Sequence, residues 1–255
     1  MRILLKEYLN DNKKIEYFEE ITSTNTVLKE RASKGEQKNT ILISEFQTAG
    51  RGRLGKTFFS PKGCGAYLSY LIKPDMYAKD AVFITVAAAV AMKRALKKVF
   101  DIDTQIKWVN DIYFKNKKLC GILTEGSILN NKKLAFAVLG VGINIKNPPF
   151  GYPDDFAFKA TNLEEIKGTI SDEEKWQLIG EFINIFDNIF FDKDRSYIKE
   201  YIEASCLIGK EIEILSGEHK GFAIAKTIDE NARLIVEKDN KTFTLDSGDV
   251  SIKFR

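Results

Sequence analysis

Apolar residues change their spacing several times along the chain. Around 40–47 and 65–73, β-branched and apolar residues come in strand-length runs, separated by a loop rich in glycine and arginine. Asp80 stands where a helix cap belongs. Val82, Phe83, Val86, Val90 and Val99 then recur at helical spacing to about Phe100, with Lys93, Arg94, Lys97 and Lys98 on the other side, which predicts a core helix. Strands are expected over 112–114, 119–128 and 134–145, the last two joined by a turn at Asn130-Asn131. Ser171 and Glu174 form a capping box ahead of Trp176, Ile179, Phe182, Ile183, Phe186 and Phe190, one face of a second long helix. A third helix is expected over 195–205. Beyond Leu207 come five short alternating segments, 211–215, 222–228, 233–238, 241–245 and 250–254, the texture of a small all-β barrel. The fold class is therefore α+β, a mixed or antiparallel sheet with helices over 1–206 and a β-barrel over 207–255, the boundary resting on the change of period.

Composition narrows the class of function. At 255 residues and 44% hydrophobic content the chain can bury a core in one or two domains. Its 39 basic and 36 acidic residues leave a net charge of +3, which lacks the asymmetry of a nucleic-acid binder, so no DNA partner is expected. Cys64, Cys120 and Cys206 are odd in number and far apart, which fits reduced thiols and a cytoplasmic protein. His219 is the only histidine and no paired-cysteine spacing occurs, so no metal site in the protein alone and no histidine-centred triad is expected. Charges at Lys6, Glu7, Asp11, Lys13 and Lys14 interrupt any signal peptide. The nearly apolar run 81–92 falls short of the ~20 residues that span a bilayer, so no membrane partner is expected.

Four segments carry candidate chemistry. Gly50-Arg51-Gly52-Arg53-Leu54-Gly55-Lys56 packs three glycines and three cations into seven positions. Glycine lets backbone approach phosphates, and arginine grips phosphate or carboxylate oxygens in pairs, although a solvated basic turn would look the same. It is not a P-loop, whose spacing it lacks. Lys107-Trp108-Val109-Asn110-Asp111 gathers a cation, an aromatic, an amide and a carboxylate ahead of a strand, and Lys118 enters the next strand, where burial is costly unless an anion awaits it, although each alone also reads as a strand end held by an ordinary ion pair. Ser23-Thr24-Asn25 opens a helix and by itself reads as its cap. Gly140-Val141-Gly142-Ile143-Asn144 ends a strand with two glycines, which suit either a bulge or a close-lying ligand.

Taken in this order, the segments resemble the biotin protein ligase family. Ser23-Thr24-Asn25 is similar to its biotin-binding Ser-Thr-Asn. Gln47 with Ala49-Gly50-Arg51-Gly52-Arg53-Leu54-Gly55 resembles its glutamine strand and glycine-arginine loop, and Lys107 to Asp111 its Lys-Trp-Pro-Asn-Asp block. Lys118 falls at the place of its catalytic lysine. Gly140 to Asn144 resembles the strand beside the nucleotide, and Leu245-Asp246-Ser247-Gly248-Asp249-Val250-Ser251 the signature of the C-terminal barrel. Val109 departs from the usual proline, and Phe58 from the usual tryptophan.

The resemblance implies a mixed-sheet catalytic domain of the class II aminoacyl-tRNA synthetase-like, biotin-lipoate ligase kind, followed by an SH3-like barrel. It implies ATP-dependent formation of biotinoyl-5'-AMP, with Mg2+ accompanying ATP, and transfer of biotin to a lysine of a biotin carboxyl carrier protein domain of acetyl-CoA carboxylase and related carboxylases. The residues implied as catalytic are Lys118, Arg51 and Asp111. Those implied for biotin are Ser23, Thr24, Asn25, Gln47, Gly50, Arg51, Gly52, Arg53, Lys118 and Gly121. Those implied for ATP and the adenylate are Arg51, Arg53, Phe58, Lys107, Trp108, Asn110, Gly142, Ile143 and Asn144. Only Met1 to Thr22 precede the Ser-Thr-Asn, where longer members carry a winged helix, so repressor activity is not expected. The oligomeric state is open, with a homodimer as one option. A lipoate or octanoate ligase would share the fold but lack the Gly-Arg-Gly-Arg loop, and a nucleic-acid module using Arg51, Arg53 and the barrel is disfavoured by the charge balance.

Overall fold

In the computed structural model, which describes all residues except 1, 11–12, 158, 193–194, 247–251 and 255, the chain opens with α1 (Arg2–Glu7), β1 (Lys14–Phe18) and α2 (Thr24–Ser33). Next come β2 (Thr40–Ser44), β3 (Gly65–Ile72), α3 (Val82–Phe100), β4 (Gln105–Lys107), β5 (Asp111–Phe114), β6 (Lys117–Ile128) and β7 (Leu134–Asn144). Helices α4 (Asp154–Ala157), α5 (Leu163–Lys167), α6 (Asp172–Phe191) and α7 (Tyr197–Glu203) precede the strands β8 (Glu211–Ile214), β9 (Gly221–Ile228), β10 (Leu234–Lys238), β11 (Lys241–Leu245) and β12 (Ile252–Phe254). Residues 247–251 of the expected barrel signature (245–251), and with them the start of the last expected strand, lie outside the described residues.

Strands β1 to β7 form one sheet in the order β1-β2-β3-β7-β6-β5-β4, in which β1 and β2 are parallel and the other pairs antiparallel. The mixed sheet of the sequence reading is thus present. Ile41 and Ile43 of β2 join the large core with α3, whereas Leu42 between them joins Leu28 and Ala32 of α2. Because side chains alternate across a strand, α2 and α3 cover opposite faces. Helix α3 is buried on nearly all sides, against the sheet and α6, as its mostly apolar sequence requires. Among the described residues, no helix is long and apolar enough to cross a membrane.

Local differences from the sequence reading have local causes. The Asp80 cap is corrected: Asp80 ends a 3-10 turn (Ala78–Asp80), and α3 starts after Ala81 with no side-chain cap. The capping box of α6 forms as expected, Glu174 N–H donating to Ser171 Oγ at 3.2 Å and Ser171 N–H to Glu174 Oε2 at 2.8 Å. The β6–β7 turn uses Asn130-Asn131, with Lys132 at φ 63 taking the left-handed position. Strands β1 and β4 are short and carry charged residues, and the apolar pattern of the sequence does not announce them. The five C-terminal strands form a separate antiparallel sheet, β11-β10-β9-β8-β12, in the SH3-like place.

Candidate active site

Alternation along β6 and β7 sends Cys120, Ile122, Leu139, Val141 and Ile143 into the core beneath α3. The residues between them face α2. Register sets Gly121 opposite Gly142 and Leu123 opposite Gly140, while β3 adds Tyr67 and Ser69 to these rows and β5 adds Asp111 beside Gly121. Three glycines therefore strip the middle of this face to bare backbone. A side chain at Gly140 would strike Asn25, one at Gly142 would strike the Phe58 ring, and a Cβ at Gly121 would lie 3.0 Å from Lys118 Nζ. Over this floor lies a cavity of about 680 Å³.

One end of the cavity is polar and neutral. Ser23 caps α2, its hydroxyl 3.5 Å from the N–H of Thr26, which presents the first helical turn to the sheet. Thr24 N–H donates to Gln47 Oε1 at 2.9 Å, and Gln47 Nε2 donates to Ser60 Oγ at 3.0 Å. Ser69 Oγ donates to Asn25 Oδ1 at 2.5 Å and lies 2.8 Å from Thr24 Oγ1. Asn25 Nδ2 donates to Leu123 O at 3.2 Å and Glu125 Oε2 at 3.1 Å, so this amide ties α2 to β6. Ser23, Thr24 and Asn25 are all buried.

The other end is cationic. Lys118 Nζ lies 2.7 Å from Asp111 Oδ1. Arg53 donates to Asn110 Oδ1 at 3.2 Å, and Asn110 Nδ2 is fixed by Ile122 O at 2.7 Å. Lys107 donates to the Tyr113 hydroxyl at 3.4 Å. Burial pushes the pKa values of Lys107 and Arg53 down, against the opposing pull of Asp111. These cations are under-solvated, so an anion entering the cavity relieves a cost the fold already carries. Among the described residues, no three His, Cys, Asp or Glu side chains gather as a metal site.

The structure brings most of the expected residues to the cavity wall, but not Gly50, Ile143 or Asn144. Gly50 packs behind the loop, where a Cβ would collide with Phe58 O. Ile143 points into the core and has only backbone to offer, as its place between Gly142 and Asn144 on a strand requires. Asn144 donates to Thr161 O at 2.9 Å. Arg51 turns outward to Glu125, 3.2 Å away, with half its side chain exposed, so Arg53 rather than Arg51 holds the inner position. The ring of Phe58 rests on the Gly121–Gly142 pair, 5.6 Å from Lys118 Nζ.

Trp108 is buried and its Nε1 donates to Ala232 O at 2.9 Å, which bolts the motif to the C-terminal sheet. At Val109 the preceding peptide is cis, and the Tyr201 hydroxyl donates to Val109 O at 2.9 Å.

Sequence reasoning missed Ser60, Ser69 and Glu125, which belong to none of the four segments, and the wall formed by Asp155, Phe156, Lys159 and Ala160. That wall is docked to the site by main-chain bonds, Lys118 N–H to Lys159 O at 2.7 Å and Thr161 N–H to Lys118 O at 2.9 Å, which no side-chain pattern announces. For Glu125, strand alternation from Gly121 was the available signal, whereas Ser69 joins the site only through the pairing of β3 with β7.

Comparison with known proteins bears on the same arrangement. Residues 17–144 match the biotin/lipoate A/B protein ligase family, and residues 207–253 match the biotin protein ligase C terminal domain. The bifunctional ligase/repressor BirA of Bacillus subtilis is 33% identical over 152 residues, 60% of this chain, and the chain spans 46% of that relative's length. The biotin--[acetyl-CoA-carboxylase] ligase of Mycobacterium tuberculosis is 27% identical over 237 residues, 89% of this chain and 85% of its own. Among solved structures, the biotin protein ligase from Aquifex aeolicus in complex with biotin and ATP superposes with a TM-score of 0.78 at 27% identity, covering 96% of this chain and 100% of that one.

Proposed function

The chain belongs to the biotin/lipoate A/B protein ligase family, and from that premise we propose that it is a biotin protein ligase, which makes biotinoyl-5'-adenylate from biotin and ATP and passes the biotinoyl group to a lysine of a carboxyl carrier domain. One observation carries the reading: a single cavity has a neutral hydroxyl-amide end around Thr24 and Gln47, a backbone floor of glycines, and a cationic end at Arg53, Lys107 and Lys118. A ureido ring offers uncharged donors and acceptors for the first end. A carboxylate and a triphosphate need the last.

In the first step a carboxylate oxygen of biotin attacks the α-phosphorus and pyrophosphate leaves. No protein nucleophile is required, so the residues act by placing and neutralising charge. Lys118 balances charge on the carboxylate and α-phosphate, with Asp111 holding its ammonium in place. Arg53, anchored by Asn110, clamps phosphate oxygens, a role that the geometry favours for it over Arg51. Magnesium travels with ATP and shares the phosphate charge. Phe58 shields the acyl group from water, and its ring yields part of the glycine floor as ligand enters. In the second step a neutral lysine amine attacks the acyl carbon and AMP leaves, with Asp111 as the carboxylate placed to orient or receive the amine's proton.

The same reading takes 1–206 as the catalytic domain and 207–255 as the barrel, supported by the start of β8 at Glu211 and of the C-terminal match at 207. It places the protein in the cytoplasm, with its carrier substrate. The test is adenylate formation from biotin and from lipoate under identical conditions. A site whose buried polar groups pair with a ureido ring rejects lipoate by about 10⁴-fold in kcat/KM. Equal use of both acids, or preference for lipoate, overturns the assignment.

A further inference from the structure

We propose that Glu125 is a positioning residue, the latch that holds the glycine-arginine loop over the site through Arg51. Alternation along β6 carries Glu125 onto the cavity side, one step beyond Leu123 and two beyond Gly121. Its side chain is only 15% exposed, and three side chains from two other elements meet on its carboxylate. Oε2 accepts from Asn25 Nδ2 at 3.1 Å, while Oε1 faces Arg51 Nη2 at 3.2 Å and Lys29 Nζ at 3.6 Å. Asn25 and Lys29 lie on α2, and Arg51 lies on the loop.

The loop has a second side-chain tether, Arg53 to Asn110, at the cationic end of the cavity. Glu125 supplies the matching tether on the α2 side, so the loop is pinned on both sides of the glycine floor. The asymmetry between the arginines follows. Arg53 is drawn inward among the groups that meet phosphate, and Arg51 is half exposed and held against the Glu125 carboxylate. A largely buried carboxylate needs donors, and here one donor comes from a glycine-rich segment whose closure is entropically costly, so the pair lowers that cost. On the ligase reading, on which this consequence rests, the latch governs how long the adenylate is kept and how tightly biotin is held, rather than the rate of the bond-forming step.

The experiment compares Glu125→Gln, Arg51→Met and the double variant in the full chain. Without ligand, chymotryptic cleavage after Leu54, which is 56% exposed, reports loop opening. Each single variant should raise cleavage roughly ten-fold, as for loss of one charge-assisted hydrogen bond, and the double variant should be no faster than either single one. In Glu125→Gln with biotin and ATP, adenylate release should quicken and the biotin KM rise while kcat for adenylation holds, a split that general loosening of the fold would not produce. Cleavage unchanged in both single variants, or effects that multiply in the double variant, overturns the latch. Should Glu125→Gln fail to fold, Arg51→Met against a Lys29→Met control decides: equal cleavage in the two refutes it. Wild-type protein that makes no adenylate would defeat the ligase reading instead, with the cleavage result standing apart.

Discussion

Replacing Lys118 by alanine tests how the charge at the cationic end is used. Its ammonium lies 2.7 Å from Asp111 Oδ1, with 30% of the lysine side chain and 19% of the aspartate exposed. The site is therefore neither dry nor bulk water. A unit charge about 4 Å from charge growing on an attacking oxygen is worth about 4 kcal/mol at an effective dielectric near 20. Part of that acts on bound reactants too, so the differential loss should match removal of one preorganised donor, about 2.7–4 kcal/mol, or about 10²–10³-fold in rate. Arg53 and Lys107 remain at the same end and keep the loss from growing larger.

Two confounding effects can be separated. Lys118→Ala strands Asp111, whose carboxylate would then repel the reactants, so Lys118→Ala with Asp111→Asn removes that repulsion. Single-turnover adenylate formation at saturating biotin and ATP, together with calorimetric biotin binding, gives the two numbers needed. The slow rate should persist in the double variant while biotin affinity changes far less than the rate. Full recovery in the double variant, or a Lys118→Ala enzyme with normal kcat and only a raised KM, refutes transition-state stabilisation by this lysine.

Asp111→Asn supplied with preformed biotinoyl-adenylate and a carrier domain should transfer slowly and recover as pH rises toward the lysine pKa of about 10.4, since more amine is then neutral; transfer at the wild-type rate would confine Asp111 to the first step. Trp108→Phe leaves Ala232 O without its 2.9 Å donor and should cost about 1–3 kcal/mol in thermal or urea unfolding, and an unchanged Tm would show that the bolt to the C-terminal sheet carries no stability. Glu45 pairs with Lys175 at 2.9 Å; burial pushes its pKa up, but the Tyr17 hydroxyl and Lys175 outweigh burial and hold it below the ordinary value. Its contribution is thus complete above a pH of about 4.3 and is lost as pH falls through the folded value, so Glu45→Gln should flatten the acid side of the stability curve, and an unaltered acid slope would contradict the assignment.

Short-range physics is written into adjacent residues, and that much of the protein is readable along the chain. The α3 run, the Ser171–Glu174 capping box, the turn at Asn130-Asn131 and the five C-terminal strands are legible because period, cap and turn chemistry are local. The motif residues were legible for the same reason, each lying in a run of unusual composition. Tertiary structure decided which of them face the cavity. The register of β3, β5, β6 and β7 sets Gly142 and Gly121 beside Asp111 in one row and Gly140 beside Ser69 in the next, an alignment of four strands that no single stretch encodes. It turned Ile143 into the core and Arg51 outward to Glu125, gave Arg53 the inner place, and recruited Lys159 through main-chain bonds to Lys118. Side-chain direction follows strand parity and pairing partner, and both depend on residues far away in the chain, so composition could identify the chemistry while only the fold could assign each residue its side of the sheet.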